Sequence, residues 1–251
     1  MKVLVIDVGG SNVKILATGQ TEERRVPSGL TMTAAMMADT VKTLAAGWQY
    51  DAVAIGYPGV VENDQPTTEP HNLAPGWVKF DYRAAFGCPV KIVNDAAMQA
   101  LGSFKQGKLL FLGLGTGLGT TMVVNGVVVP MELAHLPYRK GTFEDYVGER
   151  ALERDGKKKW RKHVFDVVGR LKAALVPDDV VIGGGNLRHL TELPPGCRAG
   201  DNANAFAGGF RMWVSKAKEK AKEKAPASAA KTRGPAARKA PARRRVAAKS
   251  A

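Results

Sequence analysis

The chain has 251 residues, 45% of them hydrophobic, and a formal net charge of +14. This length and apolar content suit two compact lobes and exclude a chain that is disordered throughout. No run approaches the roughly 18 apolar residues of a membrane span, and the two cysteines, Cys88 and Cys197, have neither the number for a disulfide framework nor CxxC spacing. A reducing cytoplasm is the expected compartment. The opening MKVLVIDVGG has no basic segment ahead of its apolar run, so it reads as a buried strand and not as a signal peptide.

In chain order, strand and helix signals alternate, which predicts an α/β architecture. Lys2 to Asp7 is an apolar strand that resumes at Lys14 to Thr18 after a glycine turn. Thr31 to Trp48 reads as helix and Asp51 to Ile55 as a short strand ending in GYPG. Pro89 to Val93 is a strand, followed by a helix from Asp95 to Phe104 with Asn94 or Asp95 at its N-terminus. Lys108 to Leu112 and Thr120 to Val129 form a second strand, turn, strand unit, folded back at Asn125-Gly126. Helices are predicted at about Thr142 to Leu152 and Lys157 to Leu175, and a strand at Val180 to Ile182 ending in GGGN. PPGCRAGDNA is poor in apolar residues, which leaves a final strand doubtful, and a closing helix runs from Ala205 to about Lys224.

The basicity is concentrated at the C-terminus. From Lys216 to Ala251 there are 13 Lys or Arg against Glu219 and Glu223, so +11 of the charge belongs to this tail. It contains no aromatic residue and is dominated by Ala, Lys, Arg and Pro, too little apolar surface to offset ordering entropy. It reads as disordered beyond a first helical stretch. Such a tail suits polyphosphate or nucleic acid, and it supports a rival reading of the chain as a nucleic-acid-binding protein with vestigial lobes.

Two segments, DVGGSNVK and GLGTGLGTT, each place a glycine turn between β-rich runs, a weak internal echo of the kind duplicated lobes leave. Glycine turns allow backbone N–H groups to approach phosphate oxygens. GLGTGLG with Glu132 downstream has the outline of a dinucleotide fingerprint, but that motif must open a helix and TTMVVNGVVV is β-branched. No GxxxxGK[ST] occurs. Ordinary hairpin turns are the bland alternative for either loop taken alone.

Asp95 lies between a buried strand and a helix, where a carboxylate either caps the helix or is aimed into a cleft. The segment MELAHLPYRKGTFEDY adds Glu132, His135 and Glu144, which with Asn94 are suited to a polyhydroxylated ligand. The same three residues are also a minority candidate for a metal site. Lys157, Lys158 and Lys159 read as a solvated helix start, with anion binding the alternative.

The ordered set of motifs resembles the ROK family of sugar kinases over about residues 2 to 213, and within it the polyphosphate glucokinase branch. DVGGSNVK looks like the family's first phosphate motif, GYPGVV its inter-lobe segment, VNDA its catalytic segment, GLGTGLGTT its second phosphate motif and IGGGN its nucleotide-proximal glycines. GTFEDYVGERAL, GKKKW and NAFAGGFRMW look like the polyphosphate branch. The resemblance implies a two-lobed ribonuclease-H-like, actin-like ATPase fold. Residues 1–105 would form the N-terminal lobe, closed by a helix at about 205–215; residues 106–204 would form the C-terminal lobe and 216–251 the tail.

By the same resemblance, Asp95 is the catalytic base toward the 6-hydroxyl of glucose or a related hexose, and Asn94, Glu132, His135 and Glu144 bind the sugar. Asp7, Gly9, Gly10, Ser11, Lys14, Gly115, Thr116, Gly117, Gly183, Gly184 and Gly185 serve the phosphates of polyphosphate or ATP, with Asp7 holding Mg²⁺ through water. A homodimer is implied. The cysteine-rich segment that follows the glutamate and histidine in many ROK proteins is absent, so no structural zinc is expected. The chain also begins at the first phosphate strand, which argues against repression through an N-terminal DNA-binding helix pair.

Overall fold

The computed structural model of the chain describes residues 1–201 and 203–214. The tail from Lys216, and the predicted helix beyond Val214, lie outside the described residues. Two five-stranded sheets share one topology. The first contains β1 (Val3–Val8), β2 (Asn12–Ala17), β3 (Arg24–Pro27), β4 (Ala52–Tyr57) and β7 (Val90–Asn94) in the order β3-β2-β1-β4-β7. The hairpin β5 (Val61–Glu62) and β6 (Gln65–Pro66) lies apart from it. The second sheet contains β8 (Lys108–Leu114), β9 (Leu118–Val124), β10 (Val127–Met131), β13 (Asp179–Gly183) and β14 (Arg198–Ala199) in the order β10-β9-β8-β13-β14.

In each sheet the first three strands form an antiparallel meander, and the first then pairs in parallel with the fourth, which pairs in parallel with the fifth. This repeated 3-2-1-4-5 order is the ribonuclease-H-like, actin-like arrangement expected above, and it gives the two glycine turns equivalent places between first and second strands.

The parallel connections carry the helices, as right-handed crossovers require. In the first half these are α1 (Ala34–Leu44), capped by the Thr33 hydroxyl on Met36 N–H, and α2 (Tyr82–Phe86). In the second half they are α4 (Glu144–Val147) and α5 (Glu149–Leu175). A single helix from Thr142 to Leu152 is not what forms. Thr142 belongs to a short ribbon, β11 (Pro137–Tyr138) with β12 (Gly141–Thr142), and extended backbone at Gly148 separates α4 from α5. Gly156, at φ 71°, breaks α5 just before the predicted start at Lys157. The doubtful final strand exists as the two residues of β14, paired with Val181 and Ile182.

The helix α3 (Asp95–Ser103) lies between the two sheets, and α6 (Asn204–Arg211) packs beside it on the first. Met98 packs with Val3, Val5 and Ala54 of the first sheet and with Ala205 and Phe206 of α6. Ala96 and Ala100, on another face of α3, pack with Leu109, Phe111, Val123 and Val181 of the second sheet. The helices meet backbone to backbone: a Cβ at Gly102 would overlap the carbonyl of Asn204, and one at Gly208 the carbonyl of Met98. Arg211 donates to the carbonyls of Leu101, Gly102 and Phe104, neutralising the C-terminal end of α3. The start of α3 is thereby held at a fixed height between the sheets.

Candidate active site

Asp95 is the first residue of α3, but it does not cap that helix. Asn94 does, its side-chain oxygen accepting from the N–H groups of Ala96 at 2.9 Å and Ala97 at 3.3 Å, while its amide N–H donates to the carbonyl of Gly59 at 3.1 Å. The Asp95 carboxylate accepts one bond, from Ala96 N–H at 2.8 Å. Gly56 of β4 permits the close approach of α3, since a Cβ there would overlap the Met98 methyl.

Asp7 sits near the end of β1, in register with Gly56 of β4 and with Lys14 of β2. Burial, and then the charge of Asp7, push the Asp95 carboxyl up to about 7. The Asp7 carboxyl is itself raised by burial, against the pull of Lys14. Neither forms an ion pair among the described residues.

Both glycine turns converge on this point. Between β1 and β2, Gly9 N–H closes the turn onto the carbonyl of Asn12 at 3.0 Å, and a Cβ on Gly10 would come within 2.9 Å of Asn72 Cβ. Between β8 and β9, Gly115 N–H bonds the carbonyl of Gly117 at 3.1 Å, and the buried Asn186 donates to the carbonyl of Gly115 at 2.9 Å. A Cβ on Gly117 would overlap a carboxylate oxygen of Glu144, which also accepts from Leu118 N–H at 3.2 Å. Gly184, at φ +87°, lies so close to the backbone of Leu114 that only glycine fits.

These elements enclose a cleft of about 690 Å³. Of the residues singled out in the sequence, it is lined by Gly9, Gly10, Asn94, Asp95, Gly115, Thr116, Gly117, Glu132, His135, Glu144, Gly184 and Gly185. Asp7, Ser11, Lys14 and Gly183 are not among its lining residues. Glu132 precedes, and His135 ends, a short 3₁₀ turn, and both residues are exposed. The Thr120 hydroxyl holds that turn by donating to the Met131 carbonyl and accepting from Leu133 N–H. Among the described residues no three His, Cys, Asp or Glu side chains gather as a metal-binding group.

Sequence reasoning missed the wall formed by Thr68, Glu69, His71 and Asn72. Glu69 fixes that segment by accepting from the N–H groups of Gly76, Trp77 and Val78. The polar run TTEPHN before Trp77 is its one local signal. Gln99, one turn into α3, was also missed.

The family model described as ROK family matches residues 3–130, from β1 through most of β10. The chain belongs to the ROK family. It is 30% identical over 214 aligned positions to a polyphosphate glucokinase of Mycobacterium tuberculosis, covering 76% of this chain and 80% of that one. Among solved structures, this ROK protein superposes on an inorganic polyphosphate/ATP-glucomannokinase from Arthrobacter sp. strain KM with a TM-score of 0.70 and 22% identity, covering 83% of this chain and 96% of the other. A ROK family glucokinase from Streptomyces griseus, in complex with glucose and AMPPNP, matches with a TM-score of 0.63 at 18% identity, covering 84% and 99%. At these identities the two structures establish the fold.

Proposed function

We propose that this ROK protein is a sugar kinase that transfers a phosphoryl group from polyphosphate or ATP to the 6-hydroxyl of glucose, with Asp95 as the general base. The observation that carries the reading is a carboxyl held near neutrality between two glycine turns in one cleft. The polyphosphate glucokinase relative supports the reaction class and names polyphosphate as a donor.

A base with a pKa near the working pH combines a useful ionised fraction with a useful proton affinity. As the sugar oxygen bonds to the terminal phosphorus, its proton passes to the Asp95 carboxylate. The bridging P–O bond breaks, and the remaining phosphate chain leaves with the electron pair. Asn94 holds Asp95 in place through the helix cap, leaving one amide hydrogen for the sugar. Glu132, His135 and Glu144 supply acceptors and a donor for the other hydroxyls, and the turn N–H groups other than those of Gly9 and Gly115, which close the turns, would bind the phosphates.

Asp7 fits Mg²⁺. It is one of two neighbouring carboxylates, raised by burial and without an ion-pair partner among the described residues, so a divalent cation held through water would relieve a repulsion already present. When bound, Mg²⁺ would neutralise charge on the transferring phosphates. A cytoplasmic location, expected from the cysteine usage, and a homodimer, expected from the family resemblance, belong to the same proposal.

The test is a coupled assay with glucose, mannose and fructose, each with ATP and with polyphosphate, on the wild type and Asp95→Asn. The expected outcome is glucose phosphorylation whose kcat falls at least about 10²-fold in the variant, the scale of general-base catalysis, with sugar affinity retained in calorimetry. A variant keeping more than about a tenth of the wild-type kcat would remove Asp95 from this role.

A further inference from the structure

Gly185, which lines the cleft, opens a turn that leads to a cluster of cations outside the cleft's own lining and unused by the reaction at Asp95. The 3₁₀ turn Gly185–His189 carries Arg188 and His189, and α5 passes beside it. Arg161 of α5 donates through Nε to the His189 carbonyl at 2.6 Å, and Arg188 donates through Nε to His189 Nε2 at 3.3 Å. One residue therefore ties two guanidinium groups by their inner nitrogens. The terminal nitrogens of both arginines form no hydrogen bond or ion pair among the described residues.

Lys157, one turn before Arg161, adds a third charge. Apart from burial, every influence on the His189 imidazole is cationic, from Lys157, Arg188 and Arg161, and all of them lower its proton affinity. The neutral imidazole is thereby favoured, and His189 serves as a bracket whose Nε2 accepts from Arg188.

Unpaired guanidinium groups held at fixed positions are suited to phosphate oxygens, which they bind bidentately. A nucleoside triphosphate carries its charge on one short phosphate chain, whereas a linear polyphosphate is charged along its whole length and can extend beyond a single cleft. We propose that Arg161, Arg188 and Lys157 form an outer subsite that binds the distal phosphates of a linear polyphosphate whose terminal phosphate lies in the cleft. This rests on the sugar-kinase reading above and deepens it by assigning a donor.

The test compares the full chain with Arg188→Gln, Arg188→Lys and Arg188→Gln/Lys157→Gln. Arg188 and Lys157 are exposed, so these changes leave the core intact. KM is measured for long-chain polyphosphate, for tripolyphosphate and for ATP. Loss of one charge-assisted contact should raise the ratio of the long-chain KM to the ATP KM about tenfold, with the double variant further along the same direction. Arg188→Lys, which keeps the charge and loses the fork, should lie between. The fall of long-chain affinity with salt should become shallower as each contact is lost.

An unchanged ratio in the double variant would overturn the proposal, as would an equal rise for all three donors, which would assign the cluster to phosphates in general. If the wild type phosphorylates no sugar from any donor, the kinase reading has failed separately. Fluorescence titration of the same variants with long-chain polyphosphate then decides the subsite alone, through weakened binding or its absence.

Discussion

Asp7 lies near the end of β1 and Asp95 directly follows β7, two strands away in the same sheet, and the charge of the first, after burial, helps to raise the second to about 7. This coupling has consequences for stability as well as for rate. In the unfolded chain Asp95 ionises near 3.8, and in the fold near 7. Between those values the native state retains a proton that the unfolded state has lost, so this group makes the protein less stable as pH rises from about 4 to 7. Asp95→Asn should therefore melt higher than wild type at pH 8, and the two should converge near pH 4. Each kcal/mol of gain corresponds to about 2–4 °C in Tm. Scanning calorimetry across this range checks it, and an equal Tm at pH 8 would mean that the carboxylate is solvated.

Activity runs the opposite way. A base that must be deprotonated gives a kcat/KM that falls as pH drops through about 7. Asp7→Asn removes a neighbouring negative charge, so the acid limb of whatever activity survives should move to lower pH. A limb that stays in place would show that burial alone sets the Asp95 pKa.

Backbone contact between α3 and α6 predicts a sharp contrast among glycines. Gly102→Ala or Gly208→Ala would force the helices apart and should destabilise the protein by about 1–3 kcal/mol or more, the scale of core overpacking. Because α3 begins at Asp95, kcat should fall as well. Gly169 in α5 has open space where a Cβ would go and no positive φ. Gly169→Ala should stabilise by about 0.5–1 kcal/mol through helix propensity. Urea titrations of the three variants would test the pair of signs together.

Glu144 lines the cleft and also braces the second glycine turn through Leu118 N–H. If a sugar hydroxyl donates to its carboxylate, Glu144→Ala should weaken glucose binding by about 1–3 kcal/mol in calorimetry. Unchanged glucose affinity with a raised KM for the donor would leave Glu144 as a brace alone.

The tail from Lys216 to Ala251 carries +11 in the sequence. Densely charged polymers release counterions when such a segment binds them, and a tether raises their local concentration at a nearby site. Truncation after Ser215 should raise KM for long polyphosphate, most at low salt, with little change for ATP. Loss of DNA retention in a gel shift with polyphosphate KM unchanged would assign the tail to nucleic acid.

Much of the site was legible because it depends on short-range chemistry. The strand-to-helix junction at Asn94-Asp95, the two glycine turns and the GGG after β13 are local patterns, and each takes its place from its own residues and immediate neighbours. The break at Gly156 was likewise written in a glycine next to a new helical run. Boundaries slipped where pairing across the chain overrode local preference, as at Thr142, which left a predicted helix to bond its partner Pro137 in a ribbon.

Tertiary structure decided everything that depends on residues far apart meeting. The identical strand order of the two sheets, the overlap of α3 and α6 at Gly102 and Gly208, and the wall formed by His71 and Asn72 have no periodic signature in the sequence. The elevation of Asp95 required its burial at the start of α3 and, second to that, Asp7, 88 positions earlier, near the end of β1. The pairing of Arg161 with Arg188 required a helix and a 3₁₀ turn to share His189. Composition can announce that a carboxylate or a guanidinium is present, but its proton affinity and its free valences are set by burial and by partners, and those exist only once the chain has folded.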